Sequence, residues 1–422
     1  KDVAKLITDG EQKIVVLSAM SGTTNTLVEI SDYLYKKNPE GANDIINKLE
    51  AKYKQHIDEL YSTEEYKQKT LEFVKSVFDY IRSYTKDIFT LFEEKVILAQ
   101  GEIISTNMVT NYLQEQGVKA VLIPALEFMR TDKNSEPDLN YIREKLQAQL
   151  EANPDYEIYI TQGFICRNAY GEVDNLQRGG SDYTASLIGA AINASEIQIW
   201  TDIDGMHDND PRIVEKTSPV RHLHFEEAAE LAYFGAKILH PTCVQPAKYA
   251  NIPVRLLNTM EPTAPGTLIS NETEKGKIKA VAAKDNITAI KIKSSRMLLA
   301  HGFLRKVFEI FESYQTAIDM VCTSEVGVSM SIDNTKHLNE IVNDLKKYGT
   351  VTVDHDMCIV CVVGDLEWEN VGFEAKALDA MRDIPVRMIS YGGSNYNISF
   401  LIREADKKKA LQSLSDTLFN HK

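Results

Sequence analysis

One short stretch decides the fold: Lys13-Ile14-Val15-Val16-Leu17-Ser18-Ala19-Met20-Ser21-Gly22-Thr23-Thr24-Asn25. Its apolar run predicts a buried strand, and the Ser, Gly and Thr residues that follow predict a turn into a helix. Similar β-rich runs recur between longer helical patterns, so the predicted strands are Ile14 to Ser18, Val118 to Pro124, Glu157 to Thr161, Ile197 to Thr201 and Pro253 to Asn258. Strands separated by helices indicate an α/β fold with a largely parallel sheet covered on both faces.

Residues 27 to 97 interrupt this alternation. They are rich in Lys, Glu and Tyr and contain almost no strand signal. Their apolar residues recur at helical spacing, as in Ile45, Leu49, Tyr53, Ile57 and Leu60. We therefore expect a helical insertion or lid.

The sequence after a polar stretch at 270 to 286 contains a repeat. The first copy predicts strand 287 to 293, helix 302 to 314, strands 317 to 323 and 326 to 332, helix 335 to 348 and strand 350 to 354. The second copy predicts strand 357 to 364, helix 370 to 382, strands 385 to 391 and 396 to 402, and helix 405 to 419. The first copy is β-α-β-β-α-β and the second lacks its last strand. The run Lys277 to Ala282 can supply that strand, which would nest the first copy inside the second.

The overall composition excludes several classes of protein. A chain of 422 residues favours about three domains. The 47 Lys and Arg against 61 Asp and Glu give a net charge of −14, which argues against nucleic-acid binding. No apolar run approaches the roughly 20 residues of a membrane helix, and the start has no signal-peptide pattern, so we expect a cytoplasmic protein without a membrane partner.

Cysteine and histidine motifs are weak candidates for metal sites. The five cysteines are scattered, which is typical of reduced thiols. Cys358 and Cys361 form C-x-x-C near His355, but on a predicted strand they would face opposite sides. His222 and His224 form H-x-H without a third ligand nearby, and we interpret them as structural. We expect no metal ion held by protein ligands alone.

Three polar clusters follow predicted strands, where α/β sheets bind their ligands. Ser18 to Asn25 can bind an anion through hydroxyl and amide groups, or it is an ordinary helix start. Arg178-Gly179-Gly180-Ser181-Asp182-Tyr183-Thr184 combines two glycines, a helix N-terminus and a guanidinium, which suits a carboxylate or phosphate. Trp200 to Gly205, followed by Asp208 to Arg212, can organise Mg²⁺ or contact ribose, or it forms turns. The Walker, G-x-G-x-x-G and protein-kinase motifs are absent.

Two isolated charges are further candidates. Lys237 lies in the apolar helical stretch Phe234 to Pro241, where it either meets an anion or extends to solvent. Glu102 follows Gly101 and precedes a predicted helix, so it either binds an ammonium group or occupies a first helical turn.

In this order, the clusters resemble those of aspartokinases in the amino-acid-kinase family. The resemblance spans nearly all 422 residues and rests on Val15 to Gly22, Thr161-Gln162-Gly163-Phe164, Arg178 to Thr184, Trp200-Thr201-Asp202, Asp210-Pro211-Arg212 and Phe234-Gly235-Ala236-Lys237. The C-terminal repeats resemble paired ACT domains. Thr323-Ser324-Glu325-Val326, Met297 and Gly302-Phe303-Leu304 are most similar to the lysine-inhibited, monofunctional members.

The resemblance implies a fold and a domain order. The expected fold is an α/β parallel-sheet amino-acid-kinase domain followed by two ferredoxin-like (ACT) α+β regulatory domains. The expected boundaries are 1–270 for the kinase domain, 271–286 for a linker with the extra strand, 287–354 for the first ACT domain and 355–422 for the second. A homodimer through the ACT domains is expected, with a tetramer as the alternative.

The resemblance also implies a reaction and its residues. ATP and L-aspartate would give 4-phospho-L-aspartate and ADP with Mg²⁺, as the first step of lysine, threonine and methionine biosynthesis. The implied catalytic residues are Arg178, Asp182 and Lys237. The implied aspartate-binding residues are Ser18, Thr24, Glu102, Arg178, Gly180 and Ser181. The implied ATP-binding residues are Thr201, Asp202, His207, Arg212, Lys237 and Ile238. The implied binding residues for L-lysine as allosteric inhibitor are Met297, Phe303, Leu304, Ile318, Asp319, Ser324 and Glu325.

Two departures from the family pattern leave alternatives open. The Lys-Phe-Gly-Gly strand that binds ATP phosphates in the family would precede Lys1 and is not in this chain. His207 stands where the family usually has Tyr. An amino-acid sensor with an inactive kinase-like half is therefore the alternative, and a kinase for another small acid is a third possibility.

Overall fold

The computed structural model describes residues 1–86, 88–176, 180–235, 239–295 and 301–419. The helices are α1 (Asp2–Ile7), α2 (Thr23–Tyr35), α3 (Pro39–Leu60), α4 (Glu64–Ser83), α5 (Leu91–Glu115), α6 (Leu139–Glu151), α7 (Gly180–Ile192), α8 (Phe225–Tyr233), α9 (Pro241–Ala250), α10 (Phe303–Ser313), α11 (Leu338–Leu345), α12 (Phe373–Ala380) and α13 (Lys407–Leu418). The strands are β1 (Lys13–Leu17), β2 (Ala120–Leu122), β3 (Ile158–Gln162), β4 (Ile165–Arg167), β5 (Val173–Asn175), β6 (Ile197–Thr201), β7 (Met206–His207), β8 (Pro219–Val220), β9 (His222–His224), β10 (Val254–Asn258), β11 (Thr267–Ser270), β12 (Ile278–Lys293), β13 (Met320–Thr323), β14 (Gly327–Ile332), β15 (Thr350–Gly364), β16 (Val386–Tyr391) and β17 (Asn397–Arg403).

The predicted α/β architecture is confirmed. Strands β1, β3 and β2 form a parallel sheet in that order, in which Leu17 and Gln162 are register partners at the carboxyl ends. A second sheet has the order β6, β10, β11, β9. All five strands predicted in this half are present. The additional strands β4, β5, β7, β8, β9 and β11 have two to four residues, which is too short for a periodic signal.

The predicted helical insertion is confirmed as α2 to α5, whose buried faces form one apolar core. Its last helix differs from the prediction. Thr90 and Glu93 form a capping box that starts α5 at Leu91, so the helix runs without a break through Gly101. Glu102 therefore lies in the middle of a helix, and its interpretation as a first-turn residue is wrong.

Two compact units divide the chain. The first comprises residues 1–199 and 242–254, and the second comprises residues 200–241 and 255–422. The first two polar clusters predicted above fall in the first unit, and the third cluster and the repeats fall in the second. The domain boundaries predicted from the sequence are drawn from repeats and motifs, whereas these two units are defined by compactness. The division into two units therefore does not test those boundaries, and they stay a prediction.

The repeats share one six-stranded sheet in the order β13, β14, β12, β15, β17, β16. Strands β12 and β15 are long and antiparallel, and Ala280 to Ala283 pair with Val360 to Val363. This pairing supplies the strand that the second copy of the repeat lacks in the sequence. Each long strand has one residue in the left-handed region at its middle, Asn286 with φ 58° and Asp356 with φ 55°. Each half of a long strand consequently belongs to a different repeat.

Close contact at the end of this strand pair gives a testable prediction. A Cβ on Gly364 would lie 2.3 Å from the Lys277 carbonyl oxygen, whereas a Cβ on Gly393 would meet nothing within 4 Å. Gly364→Ala should destabilise the second unit by about 1–3 kcal/mol because the backbones must separate. Gly393→Ala is the control. Hydrogen exchange of the amides in β15 should accelerate only in Gly364→Ala, and equal protection in both variants would contradict the prediction.

Candidate active site

The loop between β1 and α2 is fixed by side chains from two helices. Ser105 on α5 donates a hydrogen bond to the Ser18 carbonyl at 2.8 Å, and the Ala19 amide donates to Glu102 Oε1 at 3.3 Å. Ser18 Oγ donates to Ser181 Oγ, in the first turn of α7, at 2.8 Å. The structure therefore brings together Ser18, Glu102 and Ser181, which the sequence assigned from three separate segments.

Two glycines make this convergence possible. A Cβ on Gly163, directly after β3, would lie 2.3 Å from Ser181 Oγ. A Cβ on Gly101 would lie 2.8 Å from the Ala19 Cβ. Any larger side chain would push α7 or α5 away from the loop. The Gly163 amide also donates to the Leu17 carbonyl at 2.9 Å, which ties the ends of the two neighbouring strands together.

Glu102 contributes a buried carboxylate to this arrangement. Its residue is 4% exposed, and among the described residues Oε2 has no hydrogen-bond partner. Burial raises the pKa of Glu102 from 4.5 to about 7, against the smaller opposing effect of its backbone hydrogen bonds. A buried acceptor without a partner favours a cationic ligand, and an ammonium group would both satisfy Oε2 and lower this pKa.

Asp182 is the second carboxylate of the first unit with a raised pKa. It lies half-buried in the first turn of α7, and burial raises its pKa from 3.8 to about 6. In the part of the chain that the structure describes, no ion pair neutralises it. Its carboxylate thus suits a cation such as a lysine or a magnesium ion that arrives with a phosphate. Arg178 and Lys237, predicted to act with it, lie outside the described residues.

The remaining residues predicted for aspartate lie at helix starts. Thr24 is the second residue of α2 and is half-buried. Gly180 begins α7 with φ 48°, and a Cβ there would meet nothing within 4 Å. The backbone amides of a first helical turn point along the helix axis and can bind an anion.

The third cluster, in the second unit, divides into structural and free carboxylates. Asp204 accepts from Arg221 at 3.0 Å, Asp208 accepts from the Ser218 amide at 3.0 Å, and Asp210 binds the guanidinium of Arg212. The turn interpretation is therefore correct for these three. Asp202 is exposed and has no such contact among the described residues.

Three other residues predicted for ATP, Thr201, His207 and Arg212, lie in the same unit as this cluster. The Thr201 carbonyl accepts from the Thr259 amide at 2.8 Å, at the end of β6. His207 Nδ1 lies 2.8 Å from Thr217 Oγ1. Arg212 is held by Asp210 at 2.7 Å, but its side chain is 69% exposed and accessible to an anion. Ile238 and Lys237 lie outside the described residues.

The residues predicted for an effector do not all have the environment that the sequence indicates. The Asp319 side chain is 1% exposed, and Oδ1 accepts from Tyr233 at 2.6 Å and from Lys284 Nζ at 2.9 Å. Lys284 also pairs with Asp333 at 2.9 Å. Asp319 consequently has a cationic partner already.

Glu325 and Ser324 differ from Asp319 because both are exposed in the turn between β13 and β14. Ile318 and Asp319 precede β13, so they lie at its opposite end. Phe303 is buried in the core of the first repeat, and Leu304 is 37% exposed. Met297 lies outside the described residues.

The weak metal motifs are structural. Cys358 and Cys361 are fully buried in β15. His222 Nε2 lies 2.8 Å from Ser270 Oγ, and His224 caps α8 while stacking on Tyr396. Within the described ranges, no three His, Cys, Asp or Glu side chains cluster closely enough to hold a metal ion. Over the same ranges, no helix is both long and apolar enough to cross a membrane.

Comparisons with known proteins cover nearly the whole chain. The pattern of the amino acid kinase family matches residues 1–258, and an ACT domain pattern matches residues 360–418. The chain is 34% identical to aspartokinase 1 of Arabidopsis thaliana over 99% of this chain and 77% of that protein. It is 31% identical to lysine-sensitive aspartokinase 3 of Escherichia coli over 98% and 94% of the two chains. The chain belongs to the aspartokinase family.

Solved structures of the family have the same fold. Escherichia coli aspartokinase III in complex with aspartate and ADP superposes with a TM-score of 0.84 at 30% identity, covering 99% of this chain and 96% of that one. The complex of the same enzyme with lysine and aspartate gives 0.77, with 99% and 95% covered. The chain is thus a phosphotransferase of the aspartokinase class, with a carboxyl group as acceptor.

Ser105 and Tyr53 also contact the loop, and sequence reasoning did not identify them. Ser105 is one turn beyond Glu102 on α5, so a helical plot of the correct helix would have placed both on one face. Tyr53 was interpreted as an apolar-face residue of the insertion. Its hydroxyl lies 2.8 Å from Thr23 Oγ1, a partner thirty positions away in the sequence that no local pattern indicates.

The raised pKa of Glu102 predicts a measurable effect on stability. Because the folded-state pKa lies above the unfolded value, Glu102 contributes stability below pH 4.5 that is lost as the pH rises through about 7. Glu102→Gln should remove this loss. The stability of the variant relative to wild type, without ligands, should therefore increase by about 1–3 kcal/mol between pH 5 and pH 8.

Thermal unfolding at both pH values measures this difference. Glu144→Gln is the control, because that side chain is 75% exposed on α6. A difference that stays constant with pH in Glu102→Gln would mean that Glu102 is not the buried titrating group.

Proposed function

We propose that the chain transfers the γ-phosphoryl group of ATP to the side-chain carboxylate of L-aspartate, giving 4-phospho-L-aspartate and ADP. The observation that carries this proposal is the buried Glu102 carboxylate, whose Oε2 has no hydrogen-bond partner among the described residues, beside the loop where the hydroxyl of Ser18 pairs with that of Ser181. An amino acid offers the ammonium group that Glu102 lacks and the carboxylates that hydroxyl and amide donors bind. This is the first step of lysine, threonine and methionine biosynthesis, which we assign to the cytoplasm.

In this proposal Glu102 binds the ammonium group of aspartate. Ser18, Thr24, Ser181 and the amide of Gly180 donate to its carboxylates, and Arg178 adds the bidentate contact that fixes one of them. A carboxylate oxygen then attacks the γ-phosphorus, and ADP leaves. Because both reactants are anions, the residues contribute by positioning and by neutralising charge rather than by covalent chemistry.

ATP is assigned to Thr201, Asp202, His207, Arg212, Lys237 and Ile238. Lys237 and the exposed Arg212 supply positive charge for the phosphates. Asp182 has no ion pair among the described residues and suits a phosphate-bound cation, which is why we assign it to organising the transferring phosphate. Mg²⁺ bound to ATP would neutralise charge on the phosphate oxygens, held mainly by the substrate and water.

The titration of Glu102 predicts the pH dependence of the reaction. Only the ionised carboxylate attracts an ammonium group, so kcat/KM for aspartate should fall as the pH drops below about 7, approaching tenfold per pH unit. A second step near pH 6 should follow from Asp182. Initial rates in a coupled ADP assay between pH 5.5 and 9, on the full-length protein, measure this profile.

Glu102→Gln is the matched test of this assignment. The variant should lower kcat/KM for aspartate at pH 8 by at least about tenfold and should lose the step near pH 7. A wild-type profile that is flat from pH 6.5 to 8 would contradict the role of Glu102. Binding of lysine without any formation of ADP from aspartate would favour the amino-acid sensor instead.

We also propose that L-lysine inhibits the enzyme at the first ACT repeat, between the subunits of a homodimer, with a tetramer as the alternative. Two observations support this proposal. Lysine and aspartate are bound together in a crystal of the Escherichia coli relative. Glu325 offers an exposed carboxylate for an ammonium group, and Met297, Phe303, Leu304, Ile318 and Ser324 complete the proposed site. Asp319 is already paired with Lys284 through Oδ1, but its buried Oδ2 has no partner among the described residues, so the second ammonium group would share this carboxylate with Lys284.

Glu325→Ala should raise the inhibitory concentration of L-lysine at least about tenfold, the scale of one lost charge-assisted contact. Glu312→Ala, an exposed carboxylate at the end of α10, is the control and should leave inhibition unchanged. Inhibition curves in the ADP assay, with sedimentation in the presence and absence of lysine, measure both parts. Wild-type inhibition in Glu325→Ala, or calorimetric binding of threonine but not lysine, would overturn the assignment.

A further inference from the structure

We propose that Tyr53, on the helical insertion, is a positioning residue for the acceptor substrate, because its hydroxyl fixes Thr23 and through it the loop from Ser18 to Thr24. The inference rests on the proposed binding of aspartate by that loop. It gives α3, which carries Tyr53 and none of the residues assigned to substrate, a function in substrate affinity beyond its packing.

Tyr53 places a hydroxyl group in the core of the helical insertion. Its residue is 1% exposed, and its ring packs on Phe78 of α4 with centroids 5.9 Å apart. The surrounding core of α2 to α5 is otherwise mostly aliphatic and aromatic. A phenylalanine would pack equally well in such a core, so a tyrosine costs desolvation unless its hydroxyl has a partner. The Thr23 hydroxyl, at 2.8 Å, is that partner.

Thr23 connects this hydrogen bond to the loop. It is 1% exposed, begins α2, and follows Gly22, whose φ of 80° gives the sharp entry into the helix. Its amide donates to the Met20 carbonyl at 2.9 Å, which closes the turn. Thr23 therefore sets both the turn before it and the orientation of Thr24 after it.

The floor beneath the loop is equally tight. The methyl group of Thr23 would lie 3.4 Å from a Cβ on Gly101, so Thr23 packs on α5 directly beside Glu102. Burial raises the pKa of the Tyr53 hydroxyl to about 12, and the nearby negative charge of Glu102 adds to this effect. The hydroxyl therefore stays protonated. The hydroxyl pair thus lies next to the carboxylate that binds the ammonium group.

A second contact links the same helix to the loop. Lys52 Nζ donates to the Ser21 carbonyl at 3.4 Å on the exposed side. Two successive residues of α3 consequently hold the turn from its buried and its exposed faces. The exposed contact is long and weak, so the buried hydroxyl pair dominates.

The direct test is Tyr53→Phe in the full-length protein. Loss of the hydroxyl frees the Thr23 rotamer and loosens the loop, so KM for aspartate should rise about three- to tenfold. KM for ATP and kcat should change less than about twofold, since the loop that Tyr53 fixes is assigned to binding aspartate and not ATP. Calorimetric titration with L-aspartate should show the same loss of affinity.

Tyr61→Phe is the matched control. Tyr61 is also buried in the insertion, and its hydroxyl donates to the Met108 carbonyl at 2.7 Å, away from the loop. Both variants should lower the melting temperature, but only Tyr53→Phe should change KM for aspartate. An equal change in both variants, or none in Tyr53→Phe, would overturn the inference.

The partner residue gives an independent readout. Thr23→Val should raise KM for aspartate as much as Tyr53→Phe does. Thr23→Ser keeps the hydroxyl and should therefore retain most of the wild-type affinity for aspartate. The double variant Tyr53→Phe/Thr23→Val should be no weaker than either single variant, because one hydrogen bond is removed in all three. Additive losses would overturn the inference. Wild-type protein that neither binds nor phosphorylates aspartate would refute the proposed function itself, and the inference with it.

Discussion

The arrangement of the first unit depends on one buried charge. Glu102 lies in the middle of α5, where burial opposes its ionisation and backbone hydrogen bonds, among them the one from the Ala19 amide at 3.3 Å, only partly compensate. The loop after β1 packs against α5 at Gly101, next to Glu102, and Ser181 at the start of α7 contacts the same loop through Ser18. A buried carboxylate with a raised pKa lowers the stability of the protein at neutral pH, and under the proposed function the ammonium group of the substrate would offset this loss. Such opposition between folding and binding is typical of a site whose geometry is maintained before its ligand arrives.

Most of the fold could be predicted because its signals are local. Five apolar runs and the helical periodicity of residues 27–97 correspond to strands and helices within a few residues. The strand at 278–284 was predictable from the repeat, since a β-α-β-β-α-β unit with a missing strand needs one from elsewhere. The extent of α5 was not, because Gly101 resembles a helix break until the tight contact with Ala19 explains it.

The candidate site was less predictable for a physical reason. Ser18, Glu102 and Ser181 can be recognised in the sequence because they are polar residues at a strand end or in an apolar segment. The roles of other groups depend on their hydrogen-bond and ion-pair partners, and those partners come from distant positions in the sequence. Asp319 resembles a free carboxylate in the sequence, yet Lys284 forms an ion pair with it and Tyr233 donates a hydrogen bond to it. The hydroxyl of Tyr53 has a function only because Thr23 lies against it. Arg178, Lys237 and Met297 lie outside the described residues, so their predicted roles rest on the family resemblance.

The two long strands β12 and β15 interlock the regulatory half of the chain. Each passes through the sheet region of both repeats, so neither repeat can be excised as a module. A graft that carried only residues 355–422 into another enzyme would leave Val360 to Val363 without the neighbouring strand at Ala280 to Ala283. It would present a bare, apolar edge, which is a template for aggregation. Recombination within this half can therefore succeed only at its two ends, before β12 and after α13.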